Sequence, residues 1–290
     1  MLMQQFRPHP SLSPYIESLL LQEDLNAVNY ANLTPVNVLP STLAVIGIQY
    51  GSRMKAIGTQ GEQLLGTSGI AGLQTTFKQY VGTGGIGTII VRFKPGGLAA
   101  FTPYPIQAFQ DANVDLHAVF PPGLVGEMEE RLREAGTAHA LIAVVQAFLR
   151  AVLTRRDREP WIAEAARLIE LHRGGVSIER VAGEFYVSKR TLERKFNELV
   201  DISPKKFAGI VRFQHAVRLR KTGRDYLDIV TLCGFADHAH FAHAFKSFTG
   251  LRPELFFSGG EESELAKRFN GKGADSPDGP DSPDGPAMYR

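Results

Sequence analysis

The 290-residue chain has one cysteine, Cys233, and one tryptophan, Trp161. A single cysteine excludes an internal disulfide and any zinc site built on several thiolates. No apolar run approaches the roughly 20 residues that cross a bilayer. The first residues, MLMQQFRPHP, lack the charged-then-apolar order of a secretory signal. These absences lead us to expect a cytoplasmic protein with no membrane partner. Catalytic signatures are also missing: there is no nucleophile elbow, no phosphate-binding loop and no recognisably spaced pair of acids. Residues 1–120 hold only His9 and His117, too few for a metal site of histidines and carboxylates. No enzyme chemistry, cofactor or metal is therefore expected.

A marked net charge is lacking too, at +2 from 32 Lys+Arg and 30 Asp+Glu. The distribution is uneven, however. Residues 155–257 carry six more basic than acidic side chains, residues 1–154 one more acidic than basic, and residues 258–290 three more acidic. A basic excess confined to one segment is the footprint of a domain that meets phosphate, although solvated helical domains also carry such an excess.

What is present is a β-rich half followed by a helical one. Short β-branched and aromatic runs at 36–50, 54–60, 66–74, 77–81 and 88–93 are punctuated by Gly and Pro. This predicts a β-barrel or sandwich-like (cupin-like) domain. Two helices follow, over about 124–134 and 138–153. The second carries Leu141, Ile142, Val145, Phe148, Leu149 and Val152 at helical spacing, suited to packing on the barrel or, less commonly, to a dimer interface. The fold class is thus α+β, with a β-rich regulatory domain over 1–155. A charged linker (154–159) leads to an all-helical domain over 160–257. The tail, 259–290, contains a tandem DSPDGP repeat too polar to bury a core and is expected to be disordered.

Within the helical domain one design occurs twice. In SIERVAGEFYVSKRTLERKFNEL (177–199), Ser177 can cap a short helix whose Ile178, Val181 and Ala182 face inward. The chain turns at Tyr186-Val187. Ser188 then caps a second helix with Leu192, Phe196 and Leu199 on its inner stripe. In DYLDIVTLCGFADHAHFAHAFKSFTG (225–250), Asp225 caps a helix bearing Leu227, Ile229, Val230 and Leu232. Gly234 makes the turn, and Asp237 caps a helix lined by Phe241, Phe245 and Phe248. A helix from Pro204 to about Arg220 joins the units. Each unit has the plan of a helix-turn-helix, whose second helix enters the DNA major groove. Lys189, Arg190, Thr191, Arg194 and Lys195 lie off the inner stripe of the first unit. His238, Ala239, His240, His243 and Lys246 lie off that of the second.

These segments resemble the AraC-type (AraC/XylS) transcription regulators. The resemblance runs through Ala182, Ser188, Leu192, Arg194 and Phe196, then Ser203-Pro204, Arg212 and Arg218-Leu219. It continues through Ile229, Gly234-Phe235, Asp237, His240-Phe241, Phe245-Lys246, Gly250 and Pro253. It implies a two-unit reader that places both second helices in successive major grooves, with Arg190, Glu193 and Arg194 at base-reading positions of one unit and Ala239, His240 and His243 at those of the other. Arg190 and Arg194 can pair bidentately with guanine. Glu193 can accept from cytosine or hold a neighbouring arginine. Lys205 and Lys206, at a helix start, suit phosphate. The second unit departs from the family's pattern in Ala239, in its histidines and in Val230. Segments at 6–23, 38–41, 72–75 and 91–111 resemble the β-rich sensory domain of one AraC subgroup, which implies regulation or dimerisation and names no effector.

The expected partner is double-stranded DNA. RNA polymerase, an effector of unspecified identity and a second copy of the chain are the further candidates. The alternative function is an enzyme or small-molecule binder with a DNA-binding appendage; it calls for a polar cluster in the β domain, and the sequence shows none. Three further features have blander readings. Gly82–Gly87 matches G-x-G-x-x-G but precedes a strand, so it reads as a hairpin loop rather than a nucleotide site. The 93–97 segment can border an effector pocket or simply be a turn. His238, His240, His243 and Cys233 lack metal-site spacing.

Overall fold

A computed structural model describes residues 2–24, 35–58, 61–154 and 159–258. The tail, 259–290, and most of the linker fall outside the described residues.

The β half forms two antiparallel sheets. The larger contains β1 (Leu2–Phe6), β2 (Ile16–Asp24), β4 (Val45–Gln49), β7 (Ser68–Ala71), β9 (Ile86–Phe93) and β10 (Asn113–Asp115), in the order β1-β2-β9-β4-β7-β10. The smaller contains β3 (Val36–Val38), β5 (Met54–Gly58), β6 (Gly61–Leu64) and β8 (Lys78–Gly82), in the order β3-β8-β5-β6. Among the described residues the sheets do not close into a barrel; of the two architectures expected, the open sandwich is the one found.

Period-two alternation explains the arrangement. On β4, Ile46 and Ile48 are fully buried in a core on one face of the larger sheet. Val45, Gly47 and Gln49 point to the other face, towards the smaller sheet. On β9, Ile89 and Val91 join the core while Thr88 and Ile90 face the opposite way. The core is closed by α1 (Pro122–Glu134) and α2 (Ala138–Val152). Leu141, Ile142, Val145, Phe148, Leu149 and Val152 of α2 all enter it. The apolar face of α2 is therefore spent inside the fold.

The glycine-rich run is not a hairpin. It links β8 to β9, which lie in different sheets. Its backbone runs against the chain at Gly51: Ser52 N–H donates to Gly85 O (2.8 Å) and Gly51 N–H to Gly87 O (3.0 Å). A Cβ at Gly51 would lie 2.5 Å from Gly87 N. The glycines permit close approach of two backbones.

The helical half contains α3 (Pro160–Leu171), α4 (Ile178–Glu184), α5 (Lys189–Val200), α6 (Pro204–Lys221), α7 (Tyr226–Leu232), α8 (His238–Thr249) and α9 (Pro253–Ser258). At 18 residues, α6 is about 27 Å long. One core gathers α3, α4, α5 and the first half of α6 around Phe196 and Phe207. A second gathers the rest of α6 with α7 and α8 around Phe213, Phe241 and Phe245. Trp161 packs on Phe185, with ring centres 5.8 Å apart. Of the apolar residues on α7, Ile229 and Val230 are buried, whereas Leu227 (76% exposed) and Leu232 (53%) face outward. No described helix is long and apolar enough to cross a membrane.

The two halves share their cores. Leu73, just after β7, is buried among α3–α6. Leu39, just after β3, is buried in the second core, where Phe77 also packs. Backbone and side-chain bonds reinforce the contact. Phe77 N–H donates to Phe248 O (3.1 Å), Gln214 Nε2 to Pro40 O (2.9 Å) and Gln110 Nε2 to Asp201 O (3.0 Å). Gln107 Nε2 also donates to Asn197 O, near the end of α5.

Candidate nucleic-acid interface

The second helix of each unit is set by its cap. Ser188 Oγ accepts from Thr191 N (3.1 Å) at the start of α5, and Asp237 Oδ1 from His240 N (2.7 Å) at the start of α8. Ser177, Asp225 and Ser203 cap α4, α7 and α6 in the same way. The turns need a left-handed residue. In the first unit it is Tyr186 (φ 54°), which is 98% exposed; in the second it is Gly234 (φ 65°). Each second helix also ends on a left-handed residue, Asp201 (φ 78°) after α5 and Gly250 (φ 75°) after α8.

On α5, burial of Leu192, Phe196 and Val200 leaves Lys189, Arg190 and Arg194 exposed, with Thr191 and Glu193 half-buried. Two of the exposed cations have protein partners. Lys189 Nζ meets Glu179 Oε1 of α4 at 2.7 Å, and Arg194 meets Glu198 at 3.6 Å. The Glu179 hydrogen bond pushes the Lys189 ammonium above its usual range. Lys195 is tied to Glu159 and Glu198 and is half-buried. Arg212 points away from this face and donates to Gly174 O (2.9 Å).

On α8, Ala239, His240, His243 and Lys246 are all exposed. His240 stacks edge-on against Phe235 (5.5 Å), and its Nδ1 accepts from Ala236 N (3.3 Å), which leaves Nε2 as the outward donor. His238 turns to Glu254 (3.4 Å). Cys233 is buried, and burial pushes its thiol up to about 11. The three histidines and the cysteine form no metal-holding group; none occurs among the described residues.

Lys205 and Lys206 are exposed in the first turn of α6, where helix-end N–H groups favour anions. They border a groove of about 470 Å3 that runs between α6 and α8 and includes His240 and His243. Cations from α6 and donors from α8 thus line one surface between the two units.

A second concavity, of about 140 Å3, lies inside the β half between the sheets. No sequence pattern marks its lining. Its walls include Val36, Val38, Val45 and Ile90, with Gln22, Gln74 and Tyr80 among the polar groups. Burial pushes the Tyr80 phenol above its usual value. Gln22 lies in β2 and Gln74 in the loop after β7, both ordinary surface residues by pattern, so only the packing of the two sheets shows that they face inward. The 93–97 turn, considered as a pocket border, lies elsewhere: Gly96 sits against Leu199 of α5 and Ile162 of α3.

Two carboxyls sit between the halves. Glu170 of α3 accepts from Thr42 Oγ1 (3.2 Å). Burial, with a smaller contribution from Glu17, raises it to about 7 against the pull of the Thr42 bond, Arg92 and Arg218. Asp201 rises to about 6 through burial and the nearby Asp111, with Lys206 opposing.

Residues 181–258 match the family model of a helix-turn-helix domain, and residues 4–115 that of a domain of unknown function, DUF6597. The HTH-type transcriptional regulator GbdR of Pseudomonas aeruginosa is 27% identical over 97 residues, 33% of this chain and 26% of GbdR. The HTH-type transcriptional activator RhaS of Klebsiella pneumoniae is 35% identical over 69 residues, 23% of this chain and 25% of RhaS. The matches span about a quarter of the length of these curated relatives. Among solved structures, ToxT from Vibrio cholerae aligns over 83% of this chain and 98% of its own, at 14% identity and a TM-score of 0.44.

Proposed function

With residues 181–258 belonging to the AraC type of helix-turn-helix domain, we propose that the chain is a sequence-specific DNA-binding transcription regulator, controlled through its β half. The observation that carries this reading is the duplicated unit. Two capped second helices, α5 and α8, each bury one stripe and leave a polar face open, and both are anchored to α6. A spacer about 27 Å long suits two helices that enter successive major grooves, about 34 Å apart, once the helix widths are added.

In this reading Arg190 and Arg194 read bases, with Thr191 and Glu193 beside them. Lys189, Lys205, Lys206 and Lys246 meet phosphate. Arg190 is the base reader that needs no exchange of partner, while Arg194 must release Glu198, a surface pair of small worth. His240 offers a donor through Nε2, and Ala239 leaves room for a base or a methyl group. The second unit is the weaker reader, because imidazole lacks the bidentate fork of arginine. No catalytic step belongs to this reading, and the place of action is the cytoplasm. RNA polymerase and a second copy of the chain are partners to be sought once the DNA site is known.

The test is selection of bound DNA from a random pool, followed by binding of the recovered site to the Arg190→Ala/Arg194→Ala double variant. The expected outcome is a site with two recognised blocks about one helical turn apart and a loss of at least about tenfold in the variant, since each bidentate pair contributes about 1–3 kcal/mol. Unchanged binding by a folded double variant would remove α5 from the interface.

A further inference from the structure

We propose that the cavity between the two sheets is the control site of this regulator, and that its ligand is a small uncharged molecule about the size of a substituted benzene ring, carrying a hydrogen-bond acceptor and a donor. The coupling half of this inference rests on the DNA-binding reading above; the binding half does not.

Size comes first. The cavity measures about 140 Å3, close to the engineered apolar cavity of about 150 Å3 that takes up benzene. Polarity follows from two glutamines. Gln22 and Gln74 are 3% and 7% exposed and both line the cavity. Gln22 Nε2 and Gln74 Oε1 have no hydrogen-bond partner among the described residues. The remaining end of Gln74 is held, because its Nε2 donates to Tyr80 Oη (2.8 Å), which in turn bonds Asn113 Oδ1 (3.2 Å). One donor and one acceptor therefore stay unpaired within a mostly apolar wall, a costly arrangement that a ligand hydroxyl or amide would relieve once the glutamine side chains turn towards it. Charge is excluded by the lining. Among the described residues it holds no Lys, Arg or His and one carboxylate, Asp115, which is exposed and accepts from His117 N (2.9 Å). A carboxylate ligand would enter without a counter-charge, at a large desolvation cost.

The walls lead straight to the DNA-binding half. Val38 lines the cavity, and the next residue, Leu39, is buried in the core of the second unit. Gln74 lines the cavity, and the preceding residue, Leu73, is buried in the core of the first. The two segments are joined by the bond from Ser41 N to Gln74 O (3.1 Å). A ligand that draws Gln74 or spreads β3 from the larger sheet therefore acts on both units, through side chains already packed in their cores.

The experiment titrates the full chain with benzyl alcohol, benzamide, toluene and benzoate, read by calorimetry and by thermal shift. Saturable binding of benzamide or benzyl alcohol is expected, with benzoate weaker by about tenfold or more because its charge goes unpaired. Gln74→Leu should remove the preference for benzamide over toluene. Gly47→Leu should abolish all binding, because a Cβ there meets nothing nearer than Gln49 Nε2 at 4.0 Å and so projects into the cavity; Ala71→Leu is the second filling variant if the first fails to fold. Equal binding of benzoate, unchanged binding in a folded filling variant, or no binding of either polar probe would each overturn the proposal.

DNA affinity is then measured with and without saturating probe. A change of about fivefold or more that disappears in the filling variant is expected for a coupling of ordinary size, and an unchanged affinity refutes the coupling. If the unliganded chain binds no DNA, the regulator reading falls, while the probe titrations still decide the cavity.

Discussion

Lys206 and Lys189 show how the same residue type can be worth different amounts at the proposed DNA interface. Lys206 is exposed at the N-terminus of α6, where its own charge adds to that of the helix end. Lys189 is already bonded to Glu179 at 2.7 Å and must give up that partner to meet phosphate. Lys206→Ala is therefore expected to weaken binding to all DNA sequences and to lower the slope of log K against log salt by about one. Lys189→Ala should change that slope less. Salt titrations on specific and random duplexes check both, and equal slopes for the two variants would contradict the ranking. At this scale the outward set on α5 and α8 was readable in the sequence, because a helix with a known buried stripe fixes which side chains lie opposite. Partners were not readable: the bonds of Lys195 to Glu159 and of Arg212 to Gly174 link residues that only the tertiary fold brings together. Gln22 and Gln74 were hidden for the same reason.

Among the elements, the helices of the helical half were the most legible. Ser177, Ser188, Asp225 and Asp237 all cap where the pattern places a start, and Gly234 takes the left-handed turn. Local chemistry is enough there. Leu227 and Leu232 were less so, because a seven-residue helix packed on one side leaves apolar residues at its ends exposed. The strands were harder. β2 escapes an alternation search because Leu19 and Leu21 face the helices while Leu20 and Gln22 are also buried on the other face. A run buried on both sides does not alternate. The Gly82–Gly87 loop looked like a hairpin because sequence cannot tell which sheet each flanking strand joins. The two helical cores make a matched stability prediction. Phe196→Ala and Phe245→Ala each delete a nearly fully buried ring and should cost about 3–5 kcal/mol by chemical denaturation. Ser188→Ala should cost about 0.5–2 kcal/mol through the lost cap. A cost of Ser188→Ala equal to that of Phe196→Ala would show that the cap holds more than one helix end.

For the molecule as a whole, the contact between halves contains a pH-sensitive element. Folding raises Glu170 from 4.5 to about 7 and Asp201 from 3.8 to about 6, chiefly by burial. The folded chain then holds protons that the unfolded chain has released. Stability from these groups is fully present below about pH 4 and is lost as pH rises through about 6 to 7. Thermal unfolding should accordingly show Glu170→Gln gaining stability over the parent at pH 8 and little at pH 4. Asp201→Asn, which keeps a residue tolerant of the left-handed position, should behave alike. A gain independent of pH would assign the effect to packing. Sequence reading divided the chain into a sensing and a reading half, and composition alone supports that split. It could not show that Leu39, Leu73 and Phe77 cross it. These side chains set a limit on exchange. A chimera that attaches this helical half to a foreign sensing half inherits two hydrophobic cores with gaps where Leu39 and Leu73 belong. Parts-swapping that treats the halves as interchangeable cassettes will fail here unless the donor brings apolar residues to those two places.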